Sequence, residues 1–236
     1  MRLRRAAGSG SAECMGAGLG SVLMAAALVA GGIGPATAAP VQITLPGERA
    51  FPENLTSTRD GTLFVSSIAE GGIKRVAPGA AAAEPWIEPG AGGTRSTFGL
   101  LADESSGMLW VCSSDVSAWG IPGPGDAKGS WLKAFGLATG ELAASAALPG
   151  EGAACNDMAL GPDGGIYVTD IVGSRVLKLG PGRDGFDVWV ADGRFTPPPG
   201  SGGLDGIAFG SGCAANFALE AQELLAKHHG VSADVW

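Results

Sequence analysis

The chain has 236 residues, and its 41 Gly and 15 Pro together make up about a quarter of it. Only 16% of residues are charged, which favours short strands joined by tight turns over a mostly helical fold. Hydrophobic residues are 45% and six Trp are present, so the chain can form a core and is not of the disordered class. The formal net charge of −8 argues against nucleic acid as a partner, because such a surface needs a basic patch.

The amino terminus has the parts of a secretory signal peptide. Arg2, Arg4 and Arg5 precede an uncharged apolar run at 19–33 and a small-residue site at 36–38. A membrane anchor is the alternative, but the run is short and interrupted by glycines. We therefore predict a signal peptide over residues 1–38 and a secreted or periplasmic protein that leaves the membrane after cleavage.

A repeat follows, in which an apolar stretch, a Gly-containing turn and an alternating strand occur three times. The turns are Asp60-Gly61, Ser106-Gly107 and Asp163-Gly164, and Gly accepts the positive φ that such turns need. Period-two alternation predicts strands with one buried face. Each copy continues into a further strand, and in the first and third copies a Trp-bearing edge strand comes next. These later segments are 72–76, 131–135 and 175–179, with the edge strands around Trp86 and Trp189.

Four short strands per copy are typical of a β-propeller blade. A fourth copy opens at 203–209, and residues 41–45 are predicted as a lone strand that closes the ring. At about 45 residues per blade, residues 39–210 hold three blades and the start of a fourth, not a closed ring. The predicted fold is therefore all-β, an incomplete propeller of about three blades plus the first strand of a fourth. An immunoglobulin-like sandwich is the alternative, which the repeat disfavours.

Two further consequences follow from this architecture. The long segment 115–129 within the second copy is predicted to form a loop that shapes one rim. Strand edges left open in an incomplete ring favour self-association of the chain through their unpaired backbone groups.

Several motifs resemble the secreted gluconolactonase/regucalcin-like (senescence marker protein type) six-bladed propellers. Among them are Phe51-Pro52-Glu53, Cys155-Asn156-Asp157, and the segments 94–103, 161–164 and 203–209. The resemblance implies an axial pocket that holds one divalent metal, calcium or zinc. The implied activity is hydrolysis of a sugar lactone or similar small cyclic ester.

The resemblance also implies the ligand set, a Glu, an Asn and an Asp from different blades. Glu53, Asn156 and Asp205 match it, and each is expected just before the innermost strand of a copy. Oxygen ligands suit a hard cation, which would polarise a lactone carbonyl. Asp205 or Asp157 is then the predicted catalytic base. The alternative for Asp and Asn at such places is capping of turns, expected for Asp60, Asp163 and Asp170.

One departure from the family pattern concerns substrate binding. Where the family often has a substrate-binding Asn-Asp-Gly, copy two has Thr97-Phe98-Gly99. Asn156-Asp157 in copy three is an alternative position for that motif, and Asn156 then contacts substrate rather than metal. The predicted substrate-binding residues are Arg95 and Asn156.

Cys112, Cys155 and Cys213 remain after signal cleavage, and an oxidising compartment permits disulfides. The predicted bridge joins Cys112 and Cys155, because both lie within the repeat. Three buried free thiols are the alternative.

The last segment, 211–236, differs from the repeat. A helix is predicted over 214–229 and a strand start after it, an α/β appendage foreign to a propeller. This segment is similar to part of the carboxyl-terminal domain of the transketolase and pyruvate dehydrogenase decarboxylating families. It contains none of their cofactor-binding segments, so we interpret it as a fragment joined by fusion, frameshift or misassembly.

The function predicted from these features is a secreted, metal-dependent, lactone-hydrolase-like propeller, with loss of activity through truncation left open. The alternative is a non-catalytic propeller that serves as a binding module, or an inactive remnant.

Overall fold

A computed structural model describes residues 42–197 and positions 203, 204, 206, 207 and 227. The described residues form three four-stranded antiparallel sheets, and each sheet takes its strands in chain order. The first sheet contains Pro52–Ser57 (β1), Leu63–Ser67 (β2), Ile73–Val76 (β3) and Glu84–Ile87 (β4). The second contains Ser96–Asp103 (β5), Met108–Ser114 (β6), Ser130–Gly136 (β7) and Leu142–Ala147 (β8). The third contains Cys155–Leu160 (β9), Ile166–Asp170 (β10), Arg175–Leu179 (β11) and Phe186–Ala191 (β12).

The turns between the first two strands of a sheet have the chemistry that the repeat predicts. Gly61 and Gly164 have φ of 89° and 75°, a region open to Gly without steric cost. Asp60 Oδ1 accepts from the Thr62 N–H at 2.9 Å, and Asp163 Oδ1 accepts from the Gly165 N–H at 3.1 Å. The turn-capping role expected for these two Asp residues is therefore confirmed.

Two buried apolar clusters lie between consecutive sheets. One cluster joins Phe64 and Ile73 of the first sheet to Val111 of the second. The other joins Leu132 of the second sheet to Leu177 of the third. Each fully buried side chain of this size contributes roughly 1.5–3 kcal/mol. The middle sheet is therefore apolar on both faces, which is the packing of propeller blades.

The first strands of the three sheets are neighbours, β1 beside β5 and β5 beside β9. Side chains of β1 accept hydrogen bonds from the backbone of β5. Asn54 Oδ1 accepts from the Leu100 N–H and Thr56 Oγ1 from the Ala102 N–H, both at 3.2 Å. The three first strands are thus the inner strands of adjacent blades, and the predicted all-β incomplete propeller is confirmed. The sheets are called blades 1, 2 and 3 below.

The structure differs from the predictions at two places. The lone strand predicted over 41–45 is, among its described residues, a single parallel bridge between Thr44 and Ala82. The segment lies beside blade 1 because Ala83 N–H donates to the Thr44 carbonyl at 2.8 Å. In blade 2 the fourth strand expected of each copy is β8, a segment that the sequence pattern did not locate.

Other predictions fall on residues outside the described part of the chain. These are the signal peptide at 1–38 and the appendage at 211–236, of which only Lys227 is described, as helical. Within the described residues, no helix has the length and apolar character needed to cross a bilayer.

A disulfide joins Cys112 on β6 to Cys155 at the start of β9, with their Cα atoms 5.2 Å apart. Both cysteines are buried in the cluster between blades 2 and 3. The bridge therefore links the second strand of one blade to the inner strand of the next.

Replacement of both cysteines by Ala is expected to lower the free energy of unfolding by about 4 kcal/mol, because the bridge closes a long loop in the unfolded chain. Urea unfolding followed by circular dichroism measures this difference. Dithiothreitol should destabilise the wild type and leave the double variant unchanged. A Cys213→Ser variant serves as the control, and equal stability of wild type and double variant under oxidising conditions would contradict the prediction.

Candidate functional site

Each of the three inner strands contains a β-bulge at the same position. At a bulge, two residues of one strand face a single residue of its partner, which interrupts the ladder and redirects the side chains. Glu53 and Asn54 lie opposite Ser66 in blade 1, Phe98 and Gly99 opposite Cys112 in blade 2, and Asn156 and Asp157 opposite Thr169 in blade 3.

In blades 1 and 3 a buried hydroxyl closes the bulge. Ser66 Oγ accepts from the Asn54 N–H at 2.9 Å and donates to the Asn54 carbonyl at 3.4 Å. Thr169 Oγ1 makes the same pair of bonds with Asp157, at 2.9 Å and 3.3 Å. Because the bulge removes these backbone groups from the ladder, the hydroxyls supply the partners that burial requires.

Blade 2 replaces the hydroxyl with the disulfide-bonded Cys112, and its bulge carries no polar side chain. Phe98 packs into the core between blades 2 and 3. A Cβ on Gly99 would lie 2.5 Å from the Asn156 carbonyl oxygen and 2.7 Å from the Asp157 Cα. Only Gly permits the backbones of β5 and β9 to approach this closely.

The structure places the predicted ligands Glu53 and Asn156 inside their inner strands, each as the second strand residue, rather than before the strands. They occupy the same position of their bulges, and β5 lies between the strands that carry them. Asn156 is 4% exposed. Glu53 lines a groove of about 400 Å³ together with Leu55 and Val65. Both predicted ligands are therefore at the inner strands, as the blade repeat requires.

Asp157, a predicted catalytic residue, lies between two glycines of neighbouring copies. Its Oδ1 is 3.0 Å from the position of a Cβ on Gly99, and its Oδ2 is 3.4 Å from the position of a Cβ on Gly206. Asp205, predicted both as a metal ligand and as a base, lies outside the described residues. Of the predicted site, the structure thus places Asn156 and Asp157 in blade 3 and Glu53 in blade 1, with β5 of blade 2 between them.

The part of the chain that the structure describes contains no metal centre built only from His, Cys, Asp or Glu side chains. No three His, Cys, Asp or Glu side chains come together there. A centre on the axis would need the Asn156 amide oxygen, residues beyond the described range, or both.

Arg95, predicted to bind substrate, is 5% exposed and bonded within the chain. Its Nη1 donates to the Ala127 carbonyl at 3.1 Å, and its Nη2 donates to Asp115 Oδ1 at 3.2 Å and to the Pro122 carbonyl. These contacts hold the loop 115–129 over the start of β5. We call residues 115–129 the rim loop.

Asp115 organises the first turn of the rim loop. Its Oδ1 accepts from the Ser117 N–H at 3.1 Å, and Lys128 forms an ion pair with Oδ2 at 3.2 Å. Hydrogen bonds from Ser117, together with the Lys128 and Arg95 cations, lower the pKa of Asp115 to about 2. The turn continues into Ser117–Trp119, and the Trp119 ring meets Phe98 edge-on at 6.3 Å. The rim loop therefore borders the blade 2 bulge.

Sequence patterns did not indicate the roles of Ser66 and Thr169 or the contacts of Asp115 and Trp119. A hydroxyl opposite a bulge looks like any alternating strand residue, so Ser66 and Thr169 give no separate signal. Asp115 and Trp119 were located only as members of a long loop, since the partners that fix them lie far away in sequence.

Substitution of Thr169 by Val is expected to lower the free energy of unfolding by roughly 1–3 kcal/mol, because the Asp157 N–H loses its partner without a change of shape. Chemical denaturation measures the loss. Thr139→Val, which removes an exposed turn hydroxyl, is the matched control and should have little effect. A Thr169→Val protein as stable as the control would refute the role of this hydroxyl.

The low pKa of Asp115 predicts a pH-dependent contribution to stability. Its folded pKa of about 2 lies below the ordinary 3.8, so the stabilisation is present above pH 3.8 and is lost as the pH falls towards 2. The difference in free energy of unfolding between wild type and Asp115→Asn should be largest near neutral pH and should narrow over that interval. Asp187→Asn, at an exposed position, is the control. A constant difference from neutral pH down to about 2 would contradict the prediction.

Comparison with known proteins supports the fold. No protein-family model and no curated protein sequence matches the chain. A candidate gluconolactonase of known structure matches 66% of this chain and 53% of its own, at 19% identity and a TM-score of 0.50. A gluconolactonase from Xanthomonas campestris matches 67% of this chain and 50% of its own, at 15% identity and a TM-score of 0.43.

A catalytically inactive virginiamycin B lyase from Staphylococcus aureus, solved with quinupristin, matches 60% of this chain and 42% of its own, at 14% identity and a TM-score of 0.47. The chain therefore spans about half the length, or less, of these proteins. At this identity the likeness to the first of the three is a likeness of fold, that of a gluconolactonase-like propeller. With no matching family model or curated sequence, the similarity of 211–236 to thiamine-dependent enzymes has no support.

Proposed function

We propose that the chain is a secreted propeller of the lactone-hydrolase type that binds a divalent cation near the propeller axis and hydrolyses a sugar lactone or similar cyclic ester. The observation that carries the proposal is the repeated bulge, which sets Glu53 and Asn156 at the same position of two inner strands. The gluconolactonase-like fold adds support.

The donor chemistry fits a hard cation. The carboxylate of Glu53 and the amide oxygen of Asn156 are oxygen ligands, and such ligands favour calcium over softer metals. The Asn156 side chain is nearly enclosed, and Glu53 Oε2 is buried. Asp205 is the proposed third ligand. A cation held there would polarise the carbonyl of the substrate.

The chain's own contribution to hydrolysis would be a positioned base. Asp157 or Asp205 takes a proton from a water molecule, whose oxygen bonds to the lactone carbonyl carbon. The ring C–O bond then breaks, and the leaving alkoxide takes up the proton, so lactone and water give one hydroxy acid. Thr169 fixes the Asp157 backbone through two hydrogen bonds, which keeps the base in place.

A non-catalytic binding module is the second candidate, and blade 2 favours it. Its bulge offers Phe98 and Gly99 where blades 1 and 3 offer polar side chains. The bulge of blade 2 therefore adds no ligand or base side chain to the site.

Purified protein tests the proposal through calorimetry with Ca²⁺ or Zn²⁺ and through acid release from D-glucono-1,5-lactone. Asn156→Ala is expected to weaken cation binding because it removes a ligand. Asp205→Ala or Asp157→Asn, whichever removes the base, should lower kcat by about 100-fold or more. Asp163→Asn, in the turn that follows β9, is the control and should retain both properties.

The absence of both cation binding and hydrolysis above the spontaneous rate would reject the enzyme. Cation binding without hydrolysis would favour the binding module. Unchanged turnover in both Asp variants would remove these residues from the catalytic step.

A further inference from the structure

Trp119 is exposed on an exposed turn, although residues on either side of it in the chain pack at the core. Val116 belongs to the core between blades 2 and 3, and Ile121 packs against it. Trp119, between them, keeps 51% of its surface in contact with solvent. Because burial of a large apolar side chain is favourable by a few kcal/mol, an exposed indole on an anchored segment can gain binding energy by packing against a ligand.

Hydrogen bonds within the turn fix the backbone that carries Trp119. Trp119 N–H donates to the Val116 carbonyl at 2.9 Å, and Asp115 accepts from the Ser117 N–H at 3.1 Å. Asp115 is itself paired with the buried Arg95 at 3.2 Å. The indole is therefore presented on a fixed turn, so a ligand that meets it has little loop entropy to remove.

A short series of contacts leads from Trp119 to the candidate site. Its ring meets Phe98, and the next residue, Gly99, approaches the Asn156 carbonyl and the Asp157 carboxylate. A ligand bound at Asn156 and Asp157 is thus close to the rim loop. Trp119 is the exposed aromatic residue of that loop.

We propose that Trp119 is the stacking platform for the ring of the substrate. The inference rests on the proposed function and narrows its substrate to compact cyclic polyol esters, whose C–H face packs against the indole while their polar groups face Asn156 and Asp157. Arg95 is a positioning residue in this arrangement, acting through Asp115 on the turn that presents the indole.

The test uses calorimetry with glucono-1,5-lactam, a ring that the proposed chemistry does not open, and with D-gluconate, its open-chain counterpart. Trp119→Ala should weaken lactam binding about 3- to 10-fold, because this is the affinity that one aromatic contact contributes. Trp119→Phe should restore most of it, and gluconate binding should change little. Trp189→Ala is the matched control, since Trp189 is 44% exposed and also meets an aromatic ring, that of Tyr167, edge-on.

The outcomes separate the two proposals. Lactam binding that depends on Trp119, without lactone hydrolysis, supports the platform and rejects the hydrolase. With hydrolysis, Trp119→Ala should raise KM about 3- to 10-fold and leave kcat within about twofold. The platform would be overturned by any of three results. These are no lactam binding by the wild type, lactam binding by Trp119→Ala as tight as that of the wild type, or a loss of lactam affinity in Trp189→Ala as large as that in Trp119→Ala.

Discussion

The candidate site depends on one recurring interaction, a buried hydroxyl that bonds to both backbone groups of a residue in a bulge. Ser66 does this for Asn54, and Thr169 does it for Asp157. A bulge inside a propeller exposes an N–H and a C=O to an apolar interior, where an unpaired group costs about 1–3 kcal/mol. The hydroxyls offset this cost and so allow two inner strands to direct polar side chains out of the ladder.

The bulge of blade 2 has no such hydroxyl, and its residues instead contact blade 3. Gly99 lets β5 approach β9, and Cys112 bonds covalently to Cys155, the residue before Asn156. Blade 2, whose bulge has no polar side chain, therefore fixes the position of the polar bulge of blade 3. The rim loop, held by Arg95, places the aromatic side chain of Trp119 against Phe98 of the blade 2 bulge.

Much of the fold was predictable because it rests on local chemistry. Asp-Gly turns and period-two alternation located the strands around Val65 and Val168, while β8 was missed because its Leu-Ala-Ala-Ser-Ala-Ala sequence neither alternates nor contains β-branched residues. The bulges were not predicted, although consecutive polar residues such as Asn156 and Asp157 interrupt the alternation. The partners of Arg95 depend on contacts across 20–32 residues, which no local pattern encodes.

The disulfide also determines how the chain responds to cleavage. Cys112 precedes the rim loop and Cys155 follows β8, so the bond makes a covalent ring that contains the whole loop and the outer half of blade 2. Exposed loops rich in Gly and Pro are common sites of proteolytic nicking. A single cut in the rim loop would open this ring without separating the two pieces. The inner strands of blades 1, 2 and 3 would stay within one covalent molecule until the bond is reduced.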